Sequence, residues 1–180
     1  LISDLDEIPN LKNLNFAEIK NNIVIFEQKI FYYKLNLFYG DYAWFGTKGT
    51  RKKNFLSPQW LRNVKSTKYP KWRIDTVFSK KKYSNLNFIK NGGWHFTCLK
   101  TAKELEKKLL NFAHHYEFET SGLKINDIEK MINEKRVIYD HNVDQKSYKW
   151  SGKSKLKKID KDLLPEYVNL NLEKFDKWLE

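Results

Sequence analysis

The sequence is poor in the features of secreted and membrane-spanning proteins. Cys98 is the only cysteine among 180 residues, so an internal disulfide is impossible and a reducing compartment is the default. No apolar run approaches the ~20 residues that cross a bilayer, and no signal-peptide pattern opens the chain. We therefore expect a cytoplasmic protein with no transmembrane segment in this chain, and a membrane-peripheral location stays open.

Arginine is also scarce. The chain has 34 basic and 22 acidic residues and a net charge of +12, and only four of the basic residues are arginine. A positive charge of this size is typical of proteins that bind nucleic acid. However, an AT-rich genome would produce the same excess of lysine over arginine. Two clusters of lysines occur, at 80–82 and 153–158, and in neither do the lysines alternate with aromatic residues as they do in recognition modules. We expect solvated surface at both clusters and no nucleic-acid partner.

Apolar and aromatic residues are plentiful. Hydrophobic residues make up 41% and aromatic residues 16% of the sequence, which argues against disorder. A length of 180 residues suits one domain with a buried core. Because the chain opens on an apolar stretch without methionine, we interpret residues 1–180 as a single domain that is the C-terminal piece of a longer protein.

Hydrophobic patterning predicts strands in the first half of the chain and helices in the second. Extended segments are expected at 23–26, 30–37, 42–45, 71–78 and 88–97, with a turn at 40–41. Helices are expected at 58–64, at 102–114, after a cap at Asn126, and from 163 onward. Ser57 is an N-cap ahead of Pro58, and Thr101 forms a capping box with Glu104. This order predicts an α/β or α+β layer fold.

Three carboxylates stand together near the start, at Asp4, Asp6 and Glu7. On a strand, Asp4 and Asp6 share one face, Leu5 points toward the core and Glu7 faces away. Two neighbouring carboxylates are costly to hold unless a cation lies between them. The pattern is therefore that of a divalent-metal site, and an acidic turn ahead of a helix is the alternative.

Gly92 and Gly93 precede Trp94 and His95 at the start of an extended segment. Paired glycines let the backbone approach a ligand closely. The flat ring of Trp94 can stack on a sugar ring or a base. His95 can act as a metal ligand or as a hydrogen-bond donor near neutral pH. A β-bulge with a core tryptophan and a satisfied histidine is the alternative.

A third polar group lies at the C-terminal end of the helix expected at 102–114. Of His114 and His115, His114 is expected to face the active cleft and to approach a metal held by Asp4 and Asp6, although the helix dipole alone also accounts for histidine there. Glu117 and Asp75 are the carboxylates we select as candidates for a general base. Surface charge is the alternative for each of them.

These segments, taken in order, resemble a known family. The matching stretches are Asp4 to Pro9, Phe31 to Asn36, Trp44 to Thr47, Gly92 to Phe96, Lys108 to His114, and Leu164 to Tyr167. Together they resemble glycosyltransferase family 17, the family of the β-1,4-mannosyl-glycoprotein 4-β-N-acetylglucosaminyltransferase, and most of all its microbial and viral branch.

The resemblance implies the C-terminal part of a GT-A-like nucleotide-sugar transferase fold, with a mixed sheet flanked by helices. It implies a UDP-sugar donor, a glycan acceptor, Mn²⁺ or Mg²⁺, and inversion at the anomeric carbon of a transferred GlcNAc. Family members carry an upstream nucleotide-binding βα half that this chain lacks. The Golgi anchor of the animal enzyme is also absent, so neither a Golgi location nor a glycoprotein acceptor is carried over.

Roles can then be assigned to the matching residues. Asp6 is expected to bind the metal directly, and Asp4 to contact it through water or to hold the ribose. Direct bonds from both carboxylates to one ion are geometrically harder to form than a direct bond from one of them. We expect the donor to be bound by Trp94, His95 and the two glycines before them. A non-catalytic carbohydrate- or nucleic-acid-binding module is the alternative function.

Overall fold

The computed structural model describes residues 1–12, 14–111, 115–141, 148–150 and 152–180, with only the backbone at Asp41. The protein is mixed α/β, with a mixed sheet flanked by helices. The strands are β1 (Glu7–Pro9), β2 (Ile23–Tyr32), β3 (Leu37–Thr50), β4 (Leu86–Ile89), β5 (Gly93–Thr97) and β6 (Lys157–Lys158). The α-helices are α1 (Pro58–Asn63), α2 (Asp75–Phe78), α3 (Ala102–Leu110), α4 (His115–Ser121), α5 (Ile125–Asn133) and α6 (Glu166–Asn169). Short 3-10 helices span Lys52–Asn54, Lys161–Leu163 and Leu172–Trp178.

The chain divides into two compact units. The first comprises Leu1–Lys29 and Ala43–His95, and the second comprises Ile30–Tyr42 and Phe96–Glu180. β2, β3 and β5 each contribute residues to both units. Among the described residues, no helix combines the length and the apolar character needed to cross a bilayer.

In the first unit, β1 pairs antiparallel with β5, and β4 pairs parallel with β2. The register sets Glu7 opposite His95 and Pro9 opposite Gly93. The beginning of β2 is an unbroken buried run, as expected for a strand covered on both faces. Its side chains pack with α1 and β4 in one core cluster: Ile23, Ile25, Leu61, Val64 and Leu86.

In the second unit, the beginning of β3 pairs antiparallel with β6, and α3 packs against α4 and α5. Buried tyrosines fill its core and keep their hydroxyls bonded. Tyr33 donates to the carbonyl of Arg136 at 2.9 Å, and Tyr39 donates to the carboxylate of Asp140 at 2.7 Å. Burial raises the pKa of Tyr33 well above its usual value, so its hydroxyl stays protonated and acts as a donor.

The caps predicted at Ser57 and Thr101 are confirmed. Ser57 accepts a hydrogen bond from the backbone of Trp60 with Pro58 in the first turn of α1, and Thr101 and Glu104 form the capping box of α3. The cap predicted at Asn126 is wrong. α5 begins two residues earlier than that cap implies, with Lys124 as the capping position, because the N–H of Lys124 bonds to the Asp127 carboxylate.

Several predictions about strand ends are wrong. The segment expected at 23–26 continues to Tyr32 in β2, because Gln28 is buried and bonded inside the first unit. The segment expected at 30–37 is not one strand, since residues 30–32 end β2, residues 33–36 turn the chain, and Leu37 begins β3. No turn occurs at Gly40, which lies within β3 and lacks a positive φ. Residues 71–78 are not extended, since they end in the single turn of α2. The expected continuation of α3 through residues 112–114 lies outside the described residues.

Replacing Gly93 by alanine is expected to destabilise the first unit strongly. Gly93 has φ of +131°, and an added Cβ would overlap the backbone carbonyl of Ile8 in the paired strand. We expect Gly93→Ala to lower the free energy of unfolding by about 3 kcal/mol or more, measured by urea denaturation. Gly122→Ala is the matched control, because Gly122 has φ of +72° but faces open space, and it should cost about 1 kcal/mol. Equal losses would show that the contact with Ile8 is not what requires glycine.

Candidate active site

The acidic segment at the start of the chain forms a turn. The N–H of Glu7 bonds to the carbonyl of Asp4, and the N–H of Asp4 bonds back to the Glu7 carboxylate, both at 3.1 Å. Leu5 is fully exposed. The expectation that residues 4–6 form a strand with Leu5 directed to the core is therefore wrong. The physical reason is local, since a side-chain acceptor that captures a nearby N–H competes with strand pairing.

The carboxylate of Glu7 is buried at the centre of this site, with only 8% of the residue exposed. The indole Nε1 of Trp44 donates to Oε1 at 2.7 Å, and Thr47 Oγ1 lies 3.4 Å from Oε2. A Cβ at Gly46 would overlap this carboxylate. Gly46 is thus required for packing, and Glu7 does not face away from the site as an ideal strand predicts.

Gln28 and Ser3 extend the network around Thr47. The backbone N–H of Thr47 donates to Gln28 Oε1 at 3.2 Å, and Gln28 Nε2 lies 3.4 Å from the carbonyl of Trp94. Ser3 and Thr47 share a hydroxyl hydrogen bond. These bonds connect the acidic turn to β2, β3 and β5 within the first unit, which fixes the position of the Glu7 carboxylate.

Two cations lie beside the acidic turn. Lys48 is buried and donates from Nζ to the carbonyls of Arg62 at 2.9 Å and Val64 at 2.5 Å. Burial lowers the pKa of Lys48, and the negative charge of Glu7 opposes that shift. The guanidinium of Arg62 pairs with Asp4 at 2.7 Å. A cleft of about 160 Å³ is lined in part by Asp4, Glu7, Lys48 and Arg62.

Asp6 and His95 approach each other at the same end of the first unit. His95 Nε2 lies 3.4 Å from Asp6 Oδ2, and the imidazole ring lies 4.5 Å from the ring of Trp44. The imidazole is almost fully buried, whereas the Asp6 side chain is 40% exposed. The antiparallel pairing of β1 with β5 produces this proximity, because it sets His95 opposite Glu7, the residue next to Asp6.

The two aspartates have different partners. Asp4 pairs with the cation of Arg62, and Asp6 faces the imidazole of His95. Within the part of the chain that the structure describes, no group of three or more histidine, cysteine, aspartate or glutamate side chains forms a metal cage. The two side chains are about equally exposed, 43% for Asp4 and 40% for Asp6, so the two aspartates differ in their partners and not in accessibility.

The paired glycines make room for neighbouring backbone. A Cβ at Gly92 would meet the carbonyl of Ile89 at 2.7 Å, and one at Gly93 would overlap the carbonyl of Ile8. The close approach that requires glycine is thus within the protein itself. Trp94, the next residue, is half-buried. The assignment of these three residues to donor binding stays a prediction.

Three sequence candidates remain to be located. Asp75 is exposed, and its carboxylate accepts hydrogen bonds from Arg73 and Lys82, both at 2.7 Å, which hold its pKa below the usual value. A carboxylate with a lowered pKa is a weaker base. Glu117 is exposed in the first turn of α4, in the second unit. His114 lies outside the described residues.

Sequence reasoning missed most of the residues that support the site. Trp44, Gly46 and Thr47 belong to a stretch that was matched as a motif, but they received no role. Gln28 lies between Glu27 and Lys29, and Lys48 lies between Thr47 and Gly49. The local sequence therefore gives no signal that either side chain is buried.

Comparison of the chain with protein-family models, with curated proteins and with solved structures returned no match.

The lowered pKa of Lys48 predicts a pH-dependent stability. When the folded-state pKa lies below the ordinary value of 10.5, the unfolded state binds more protons between the two values, so stability rises with pH there. We expect the free energy of unfolding of the protein, relative to that of Lys48→Met, to increase as pH rises through the alkaline range toward 10.5. Chemical denaturation at several pH values measures this difference.

The exposed Thr67 provides the control for that measurement. The difference between the protein and Thr67→Ala should stay flat over the same pH range, since this substitution removes no ionisable group. A flat profile for Lys48→Met as well would mean that the buried ammonium pays no desolvation cost.

Proposed function

We propose that this chain is part of the catalytic domain of a metal-dependent inverting glycosyltransferase. It would transfer a sugar, GlcNAc by the family resemblance, from a UDP-sugar to a glycan hydroxyl and form a β-linkage. The proposal includes a GT-A-like fold completed by an upstream nucleotide-binding half. The observation that carries it is the 3.4 Å distance between Asp6 and His95, since these residues belong to two separate stretches on which the resemblance depends.

The buried network provides a second line of support. A binding site for a charged donor needs side chains held in fixed positions by their neighbours. Glu7 satisfies this need, because its carboxylate is bonded to Trp44 and to the backbone of Asp4, and it anchors the turn that carries Asp6. We propose that Glu7 is a positioning residue and that Asp6 contacts the ligand.

The chemistry of the acidic turn fits a divalent cation held by one carboxylate. Mg²⁺ usually keeps several waters and is bound by one or two carboxylates together with substrate phosphates. The exposed carboxylate of Asp6 suits that role, with Asp4 as a contact through water or to the ribose, and His114 stays a further candidate from the sequence. When bound, the cation neutralises negative charge on the leaving diphosphate.

Arg62 adds a donor for the phosphates. Arg62 helps to line the cleft, and its side chain is about half exposed. A planar guanidinium matches phosphate oxygens with two parallel hydrogen bonds. We propose that Arg62 exchanges its ion pair with Asp4 for contacts with the donor diphosphate.

The proposed reaction is a single displacement. A general base takes the proton of the acceptor hydroxyl, the hydroxyl oxygen attacks the anomeric carbon, and the bond to the diphosphate breaks with its electron pair on UDP. One displacement inverts the configuration at that carbon. We keep Glu117 as the candidate base, and Asp75 follows it because two cations already bind its carboxylate.

Asp6→Asn is expected to abolish most metal-dependent donor binding and turnover in the full-length protein. The substitution removes the charge that holds the cation while preserving shape. We expect Mn²⁺ with UDP-GlcNAc to raise the melting temperature of the parent but not of Asp6→Asn, and transfer to fall at least a hundredfold. Asp176→Asn, at an exposed position of the second unit, is the matched control.

Near-normal transfer by Asp6→Asn would contradict the metal assignment. Absence of any UDP-sugar effect on the parent, together with steeply salt-dependent oligonucleotide binding, would instead favour the non-catalytic module.

Glu117→Gln is expected to slow transfer without weakening donor binding. Loss of a general base costs about 10²–10⁴ in rate, and donor binding does not need the base. Single-turnover transfer and the donor-induced shift in melting temperature separate the two effects. Glu173→Gln, another exposed carboxylate of the second unit, provides the control. A rate within about tenfold of the parent would move the base elsewhere, with Asp75 tested next.

A further inference from the structure

Residues 65–82 form a closed loop on the first unit, which we call the 65–82 loop. Its two ends are joined by a hydrogen bond of 2.7 Å from the N–H of Lys65 to the carbonyl of Lys81. Trp60 Nε1 reinforces this closure by donating to the carbonyl of Lys80 at 2.9 Å. The loop thus resembles an Ω-loop, whose ends are close and whose middle projects from the scaffold.

The middle of the loop exposes four large apolar side chains. Trp72, Ile74, Val77 and Phe78 are 80%, 74%, 78% and 84% exposed. Ile74, Val77 and Phe78 have helical spacing around α2 and share one face of that turn. Single exposed apolar residues are common, but a contiguous group of this kind marks an interaction surface.

The same loop is strongly basic. It contains seven basic residues and one acidic residue: Lys65, Lys68, Lys71, Arg73, Lys80, Lys81 and Lys82, against Asp75. The carboxylate of Asp75 is bound by Arg73 and Lys82, so it offers little negative charge to a partner. The surface therefore combines an apolar tip with a positive surround.

Internal contacts hold the loop in one shape. The ring of Tyr69 lies under two cations, 5.2 Å from Arg73 and 5.8 Å from Lys82. These contacts, together with the ion pairs of Asp75, connect the polar side chains to one another and leave the apolar ones outward. A surface that is already ordered loses little entropy when it binds.

We propose that the 65–82 loop binds the surface of an anionic lipid bilayer. The apolar tip would enter the boundary between headgroups and acyl chains, and the lysines would contact anionic headgroups. Trp72 suits this boundary, where an aromatic ring with one polar atom is favoured. Branched aliphatic side chains such as Ile74 and Val77 offer no stacking face for bases, which separates this surface from a nucleic-acid site. The inference does not depend on the proposed transferase activity.

Vesicle co-sedimentation of the full-length protein tests the proposal. We expect binding to vesicles of phosphatidylcholine with about 30% phosphatidylserine, weakened by salt, and much weaker binding to phosphatidylcholine alone. The triple variant Ile74→Ser, Val77→Ser, Phe78→Ser should lose at least about tenfold in partitioning. Because these side chains are exposed, its melting temperature should stay near that of the parent.

Matched controls come from the second unit. Tyr116→Ser with Leu170→Ser removes side chains that are 72% and 77% exposed elsewhere, and should leave vesicle binding unchanged. For charge, Lys80→Glu with Lys81→Glu should weaken binding more than Lys153→Glu with Lys155→Glu, which alters two exposed lysines of the other basic cluster.

A spectroscopic measurement checks insertion directly. Brominated lipids should quench part of the tryptophan fluorescence of the bound parent, and Trp72→Leu should lose that quenching while still binding. The proposal is overturned if the parent does not bind anionic vesicles, or if the triple-serine variant binds them as well as the parent. The proposal is also overturned if the parent does not bind vesicles but self-associates or binds RNA, and the loop variants abolish that binding.

Discussion

The buried carboxylate of Glu7 is the constraint from which the rest of the site follows. A carboxylate removed from water costs several kcal/mol unless donors replace its hydration. Trp44 and the N–H of Asp4 supply close hydrogen bonds, Thr47 lies near, and Gly46 leaves the space. Burial of the Glu7 carboxylate therefore constrains which residues can occupy β3 as well as the acidic turn. A change at any of these residues acts on the site through the position of this one charge.

Fixing Glu7 also separates the roles of the two aspartates. The hydrogen bonds between Asp4 and Glu7 close the turn, so residues 4 and 6 no longer alternate as on a strand. Asp4 then meets Arg62, while Asp6 meets His95, which β5 brings opposite Glu7. The two aspartates of one short sequence pattern thus have different electrostatic surroundings, since Asp4 pairs with a guanidinium and Asp6 faces an imidazole.

What could be predicted from the sequence depended on the range of the interactions. The caps at Ser57 and Thr101 were predictable because their partners lie three residues away. The continuity of β2 was not predictable, because Gln28 is tolerated in a buried strand through its bonds to Thr47 and Trp94, which lie in other strands. The role of Glu7 was hidden for the same reason. The approach of Asp6 to His95 arises from the pairing of β1 with β5, and the binding of one donor by these two motifs stays a prediction.

The charge of the protein acts locally rather than as a sum. A net charge of +12 says little about the cleft, because exposed lysines are screened by salt within about 10 Å. Lys48 differs, since burial removes its hydration and leaves its ammonium held by two carbonyls. In such surroundings a charge acts more strongly on a neighbouring anion than it would in water. The electrostatic field in the cleft therefore depends on Lys48 and Arg62, offset by Asp4 and Glu7, and hardly at all on the other basic residues.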